Sequence, residues 1–410
     1  VIVDDTAGHV QIDHALIQWA ANGVAIYGGT DVLISNSTIR DSAQAGIYVA
    51  PGASPRIVGN TIDQVAPTGY VAYIGSGIEV DSSDPIIQGN HVRNHDIGVY
   101  VKNHASPTID AGNTIEANRF GIYLQGDYSD PENNPTPVVT GNNIYSNSSY
   151  GLAAEGWATD AWTNDSYSDL LEIELDISGK WWGSSNPSSV SASVAPFGAY
   201  GPVLRLAPFL DAEGGDSLAG NFLSGLVTTN QQLASGSQHV VVGDLVIARA
   251  ASLSIDAGSS LLFARHSAIT ALGTFVAIGT LDNKIQMDSL EPIKVPGDWQ
   301  GISLYGDNSL VNNTVVRHAR RAIDIYGRYA SISHSTLSDF SLDGIVARAG
   351  SAADISHNQI HGTTRTGNGL SLHSSEVMAS QNQIIQANYG IYVSASSPTL
   401  QGNDISDNSR

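Results

Sequence analysis

Several residue types that anchor other architectures are absent or scarce in this sequence. Its 410 residues include no cysteine, two methionines and only 14% charged residues. The lack of cysteine excludes a disulfide framework and a thiolate metal site. No run of about 18 or more apolar residues suggests a membrane span in this segment. Residues 1–20 show neither the basic nor the apolar region of a signal peptide.

Positive charge is also scarce. Lysine and arginine number 18 against 39 acidic residues, which gives a formal net charge of −21 and a pI near 4.7. A nucleic-acid partner is therefore not expected, because phosphate binding needs a basic surface. Divalent cations and neutral glycans are compatible with this charge.

Two short words recur along the chain. In the first, glycine precedes an aliphatic residue, any residue and an apolar residue; in the second, asparagine comes two residues before isoleucine or valine. The first word occurs at 46–49, 77–80, 98–101, 121–124, 344–346, 369–372 and 390–393. The second occurs at 60–62, 90–92, 113–115, 142–144, 358–360, 382–384 and 403–405.

These words predict short strands in stacked coils. Alternating apolar and polar residues place one strand face inward, and a single coil cannot bury that face without neighbours. Asparagine tolerates the left-handed turn conformation, and stacked amides can hydrogen-bond to one another along the axis. We therefore interpret the repeated asparagines as structural residues.

The pattern resembles the parallel β-helix repeat of pectate-lyase-like and NosD-like proteins, over about 1–150 and 300–410. Within that group it is most similar to tandem β-helix modules of bacterial surface proteins. The resemblance implies an all-β fold, a right-handed parallel β-helix. It implies little about function, because this fold carries lyases, hydrolases, epimerases, adhesins and phage spikes.

A longer repeat is superimposed on the short one. Residues 301–410 repeat 1–119, with an offset of 299 at Tyr27 and Tyr326, 298 at Asn60 and Asn358, and smaller values further on. We infer a duplicated unit of about 300 residues. Because the final residues follow a strand without a closing element, we expect a segment of a longer protein.

The predicted organisation has five parts. Residues 1–152 are β-helix coils, 153–212 an acidic, tryptophan-rich insertion and cap, and 213–235 a linker. Residues 236–300 form a β-rich start module, and 301–410 form the second β-helix stretch. The cap includes Trp157, Trp181 and Trp182 and would shield the open sheet edge.

The best catalytic candidates are Asp81, His91 and Lys102, because lyases of this fold need a base and carboxylates. Asp81 and Lys102 lie one coil apart and could stack on the same face. In the second copy the aligned residues are His373, Gln383 and Ser394, so the group does not repeat. We therefore favour a non-catalytic protein and leave an enzyme open.

Two further features suggest ligands. Asp127, Asp130 and Glu132 lie in one oxygen-rich loop, which suits Ca²⁺ although the spacing is not that of an EF-hand. Tyrosine recurs at the third position of the glycine word, where it should point outward as a glycan track or a stabilising ladder. These positions are Tyr48, Tyr100, Tyr123 and Tyr392.

Three functions remain open. The first is a secreted, structural solenoid at the cell surface, a stalk, adhesin or filament whose partners are further copies of the same repeat. The second is a polysaccharide-active lyase, epimerase or hydrolase. The third is a glycan-binding module without catalysis.

Overall fold

The computed structural model describes residues 1–64, 75–110, 112–127, 129–157, 172–195, 201–363 and 365–410. The fold is a right-handed parallel β-solenoid, with about 51% strand and 2% helix, as the sequence predicts. The chain divides into an N-terminal unit, 1–218, and a C-terminal unit, 219–410. Each unit is described by itself below.

Three parallel sheets, named A, B and C, form the coils of the N-terminal unit. Sheet A consists of Ile2–Val3, Asn22–Ile26, Ala45–Val49, Ser76–Asp81, Ile97–Lys102, Phe120–Gln125 and Tyr150–Glu155. Sheet B consists of His9–Asp13, Asp31–Ser35, Arg56–Val58, Ile86–Gln88, Thr108–Asp110 and Val138–Val139. Sheet C consists of Leu16–Gln18, Thr38–Arg40, Thr61–Asp63, His91–Arg93, Thr114–Glu116 and Asn143–Tyr145.

The core of each coil is made by the residues that the alternation places inward. Ile78 pairs in register with Ile47 on one side and Val99 on the other, and all three are fully buried. The glycine that directly precedes each of these residues in its strand lies too close to the next coil for a side chain. A Cβ on Gly98 would lie 2.6 Å from the Gly121 carbonyl oxygen, so only glycine fits there.

The buried asparagines form a relay along the axis at the turn between sheets B and C. Asn90 donates from Nδ2 to Oδ1 of Asn113 at 3.1 Å, and Asn113 donates from Nδ2 to Oδ1 of Asn142 at 2.8 Å. Asn60 donates to Asn90 in the same way at 3.0 Å. The same amides also donate to backbone carbonyls, including that of Ile87 at 2.9 Å. The structural interpretation of these asparagines is therefore confirmed.

The C-terminal unit repeats the three strand faces, but faces A and C are joined into one 15-stranded sheet. Its sheet A consists of Ala268–Ala271, Trp299–Leu304, Ala319–Ile325, Asp343–Ala347, Asn368–His373 and Ile391–Ser394. Its sheet B consists of Gln231–Leu233, Ser252–Ile255, Thr274–Ile278, Leu310–Asn312, Arg328–Ser333, Ala352–Ser356, Glu376–Ser380 and Thr399–Gln401. Its sheet C consists of Ser260–Phe263, Ile285–Ser289, Thr314–Arg317, Thr336–Ser338, Gln359–His361, Gln383–Ile385 and Asp404–Ser406.

A long strand near the start of this unit lies in the stretch that was expected to be a β-rich start module. Gln238–Ile247 pairs through its first half with sheet C and through its second half with sheet A. Phe222–Val227 lies along the same strand, within the stretch 213–235 that was expected to be a linker. Residues 236–300 then share their sheets with 301–410, because each strand finds its backbone partners only in the adjacent coils.

The remaining elements are short. Glu174–Asp176 pairs in parallel with Val203–Arg205 in the region of the expected cap. The single α-helix among the described residues, Pro187–Ala192, begins after Asn186, whose side chain accepts hydrogen bonds from the amides of Ser188 and Ser189. A 3-10 helix spans Pro131–Asn133.

The two units use the same polar contacts at aligned positions. The amide of Ser37 donates to Asn60 Oδ1 at 3.0 Å, and its hydroxyl donates to the Ser35 carbonyl. Ser335 makes the equivalent two bonds, to Asn358 at 3.0 Å and to the Ser333 carbonyl. The second relay then continues through Asn382 and Asn403. This correspondence agrees with the inferred duplication, which stays an interpretation of the sequence.

Replacing Asn113 tests the relay. Asn113→Ala removes three donated bonds and leaves the buried amide groups of Asn90 without their acceptor. We expect a loss of about 2–4 kcal/mol in the free energy of unfolding, measured by urea denaturation. Asn143→Ala, whose side chain makes one exposed contact with Glu213, should change stability by less than about 0.5 kcal/mol. Equal effects of the two substitutions would contradict the structural role of the relay.

Candidate functional site

The outward face of sheet A in the N-terminal unit collects most of the residues that the sequence singles out. We call it the tyrosine face. One column along it runs through Tyr48, Glu79, Tyr100 and Tyr123, which are successive partners in the parallel register. These side chains are partly exposed while the neighbouring strand positions are buried, so the expected outward orientation of the tyrosines is confirmed.

Lys102 lies between two carboxylates on this face. Its Nζ is 2.8 Å from Glu79 Oε1 and 3.5 Å from Asp81 Oδ2, and Asp81 is its register partner one coil away. Burial opposes the charge on Lys102, but the hydrogen bond to Glu79 and both negative charges outweigh it and raise its pKa. A lysine held in the ammonium form is poorly suited to abstracting a proton.

His91 does not join this group. It lies in sheet C, where its Nε2 is 2.8 Å from Glu116 Oε1. Asp81 and Lys102 are thus brought together, whereas the third candidate pairs with a different carboxylate on another sheet. Sequence reasoning missed Glu79, although it occupies the third position of its glycine word, which tyrosine fills in the adjacent coils.

Aromatic side chains surround the charged group. Tyr100 and Tyr123 pack edge to face with ring centres 5.9 Å apart, and Phe120 contacts Tyr123 at 5.3 Å. The Lys102 ammonium lies 5.4 Å from the centre of the Tyr100 ring. Burial, together with nearby carboxylates, raises the pKa of Tyr48 and of Tyr100, so their hydroxyls stay protonated near neutral pH. The face therefore offers ring surfaces and neutral hydroxyl groups.

An open hollow of about 290 Å³ lies at the end of this face. The Tyr123 hydroxyl donates to Glu155 Oε2 at 2.7 Å at its edge. Amide, carboxylate and phenol groups thus lie next to a flat ring, which is a combination that suits polyhydroxylated ligands. The hollow is lined by Asn103, Tyr123, Gln125, Gly126, Asp127, Glu155 and Gly156.

The acidic loop next to this hollow uses its carboxylates in local turns. Asp127 accepts hydrogen bonds from the hydroxyl and the amide of Ser129, which lower its pKa. Asp130 caps the 3-10 helix through the amide of Glu132 at 3.0 Å. Among the residues that the structure describes, no group of three or more histidine and carboxylate side chains is placed to hold a metal ion. Calcium binding by Asp127, Asp130 and Glu132 stays a prediction.

The expected cap contains a buried lysine. Lys180 is fully buried, and its Nζ donates to the Ser178 carbonyl at 2.9 Å. Burial lowers its pKa to about 7. Trp157 and Trp182 are also buried, and Arg205 binds Glu174 through two parallel hydrogen bonds. The acidic residues and the tryptophan at 160, 162, 165 and 169 lie outside the described residues.

Comparison with known proteins gives a family and no curated relative. The family model described as "Right handed beta helix region" matches residues 1–166 and 286–410, which is more than half of the chain. No curated protein matches the sequence. Among the described residues, helices are too short or too polar to cross a membrane.

The buried Lys180 makes stability depend on pH. In the unfolded chain its pKa is 10.5, and in the folded protein it is about 7. Between these values the unfolded chain binds more protons, so the free energy of unfolding should rise as pH increases from about 7 toward 10. Lys180→Met removes this titration and should flatten the rise.

Urea unfolding at pH 6.5 to 10, followed by tryptophan fluorescence, measures the effect. The control Lys284→Met should keep the wild-type slope. A slope that is unchanged in Lys180→Met would show that the buried amine does not titrate in this range.

Proposed function

The chain belongs to the family of right-handed β-helix regions, and on that premise we propose that it is a structural segment of an extracellular or cell-surface solenoid. Its role would be that of a stalk, adhesin or filament built from units of about 300 residues. Further copies of the same repeat, in the same chain or in neighbouring chains, would be its partners.

The observation that carries this proposal is the repeated buried relay. Asn60, Asn90 and Asn113 hold successive coils in one register through side-chain amides, and Asn358, Asn382 and Asn403 do so again at aligned positions. These contacts are inside the turns, where they cannot bind a ligand. The two units therefore share the residues that stack one coil on the next. This favours an extended structural protein over an enzyme.

The charged residues on the outside support the same proposal. Lys102 is neutralised by Glu79 and Asp81, and Arg119 binds Asp96 through two contacts at 2.5 and 3.0 Å. Such pairs between neighbouring coils add to the hydrogen bonds of the sheets. The remaining excess of acid, a net charge of −21, would keep closely spaced solenoids apart in solution.

Immunoelectron microscopy tests the location. Antibodies raised against the folded chain should label intact cells of the source organism, as a layer or as filaments at the surface. An antibody against a cytoplasmic protein is the control and should label only permeabilised cells. Labelling of this chain only after permeabilisation would overturn the proposal.

A second candidate function is polysaccharide processing at the tyrosine face. One observation favours it: Glu79 and Asp81, two residues apart on one strand, both contact Lys102 next to the ring of Tyr100. Paired carboxylates beside aromatic rings are the groups that glycoside hydrolysis uses. The raised pKa of Lys102 weighs against a lyase, whose base must be neutral.

An activity assay separates the two functions. Polygalacturonate and a soluble β-glucan would be incubated with the protein, and unsaturated products and new reducing ends would be measured. As a structural protein the chain should release neither. If either product appears, and Glu79→Gln abolishes it while Arg119→Gln on the neighbouring pair does not, the catalytic function replaces the structural one.

A further inference from the structure

A second hollow, on the outward face of sheet B in the C-terminal unit, is larger than that on the tyrosine face. We call it the sheet B hollow, and its volume is about 470 Å³. It lies across four successive coils. It is lined by Tyr329, Ala330, Ser331, Ala352, Ala353, Asp354, Glu376, Val377, Met378, Ser397 and Thr399.

The register of the sheet explains why the surface is concave. Ser331, Asp354, Met378 and Thr399 form one outward column, as successive partners in parallel strands. Small side chains at Ser331 and at the nearby Ala352 leave space between the larger residues. The depression is thus a consequence of side-chain size on a regular sheet.

A bulge places an aromatic ring at the rim. The pairing of Arg328–Ser333 with Ala352–Ser356 shifts register between Arg328 and Ala330, and the extra residue is Tyr329. Tyr329 has a φ of 60° and 65% of its surface exposed. A bulge re-aims the side chain that it carries, and an exposed left-handed tyrosine costs conformational energy without contributing to the core. A ring held in this way is available to stack on the face of a ligand.

The polar groups of the hollow include one that lacks a partner. Oδ1 of Asp354 is shielded from solvent and accepts no hydrogen bond from any residue that the structure describes. A shielded carboxylate oxygen without a donor is costly, and a ligand hydroxyl would supply that donor once the carboxyl group rotates about Cβ–Cγ. Glu376 and the hydroxyl of Thr399 lie in the same hollow.

At the aligned positions of the N-terminal unit, the aromatic ring and the unpartnered carboxylate are both replaced by other residues. With the offsets of the long repeat, Tyr329 aligns with Asp31 and Asp354 with Arg56. Arg56 is exposed on the outward face of its own sheet B, and Asp31 contacts His9 at 2.8 Å. The stacking relay is the same in both units, whereas Tyr329 and Asp354 occur only in the second. The ring of Tyr329 and the carboxylate of Asp354 are thus not needed to stack the coils, and this favours a role in binding a ligand.

We infer that the sheet B hollow binds a sugar unit of a neutral polysaccharide, with Tyr329 stacking on the ring and Asp354 accepting a hydrogen bond from a hydroxyl group. The carboxylates of Asp354 and Glu376 give the hollow a negative charge, so uronic acids should be disfavoured. The site is open and shallow, so the affinity for one chain should be low, with a Kd of about 0.1–1 mM. This inference does not depend on the structural role proposed above.

Isothermal titration with three soluble probes tests it: cellohexaose, chitohexaose and a hexamer of galacturonic acid. At least one neutral hexamer should bind, and at least about tenfold more tightly than the acidic one. Tyr329→Ala and Asp354→Asn should each weaken that binding by about tenfold or more. Trp19→Ala, which removes an exposed left-handed aromatic ring of the N-terminal unit, and Asp404→Asn, on sheet C of the C-terminal unit, are matched controls and should bind as the wild type does.

Thermal denaturation of each variant checks that the unit remains folded, and Asp354→Asn keeps the shape of the side chain. Failure of both neutral hexamers to bind would overturn the inference. Tighter binding of the acidic hexamer would overturn it as well. So would neutral binding that persists in both Tyr329→Ala and Asp354→Asn, since the site would then lie elsewhere on the chain.

Discussion

Every coil of this protein depends on its neighbours for the partners of its polar groups. The backbone of each strand bonds only to strands of the adjacent coils, and where a turn carries a buried asparagine its side chain bonds to the neighbouring coils as well. A buried amide without a partner costs more than a hydrogen bond normally contributes. The register is therefore set at each coil by the one next to it, and inward residues have little freedom to vary.

The outward positions are not subject to this constraint, and they are where the two units differ. The tyrosine face combines aromatic rings with Lys102, which contacts Glu79 and Asp81. The sheet B hollow combines Tyr329 with the carboxylate of Asp354, whose Oδ1 has no partner among the described residues. Both rest on a sheet whose inner face is largely buried. A regular sheet can thus carry different surface chemistry in successive copies without a change in its core.

Several expectations depended on the path of the chain and could be judged only in three dimensions. Asp81 and Lys102 were expected on one face because they lie one coil apart, and the register places them together. His91 is closer to Asp81 in sequence than Lys102 is, yet it lies on another sheet with Glu116. Residues 213–235 were expected to be a linker because 213–225 contain glycine, aspartate and serine, but Phe222–Val227 pairs within the sheet.

The sequence by itself determined the solenoid, its core and its asparagine relay. The alternation of apolar and polar residues and the recurring turn residues are local patterns, and each coil repeats them. The tertiary structure alone decided which outward side chains meet. Residues that meet across coils are separated by 20 or more positions, and a change of one residue in a turn or a bulge alters which of them align. The pairing of Lys102 with Glu79, the burial of Lys180 and the sheet B hollow all arise in this way.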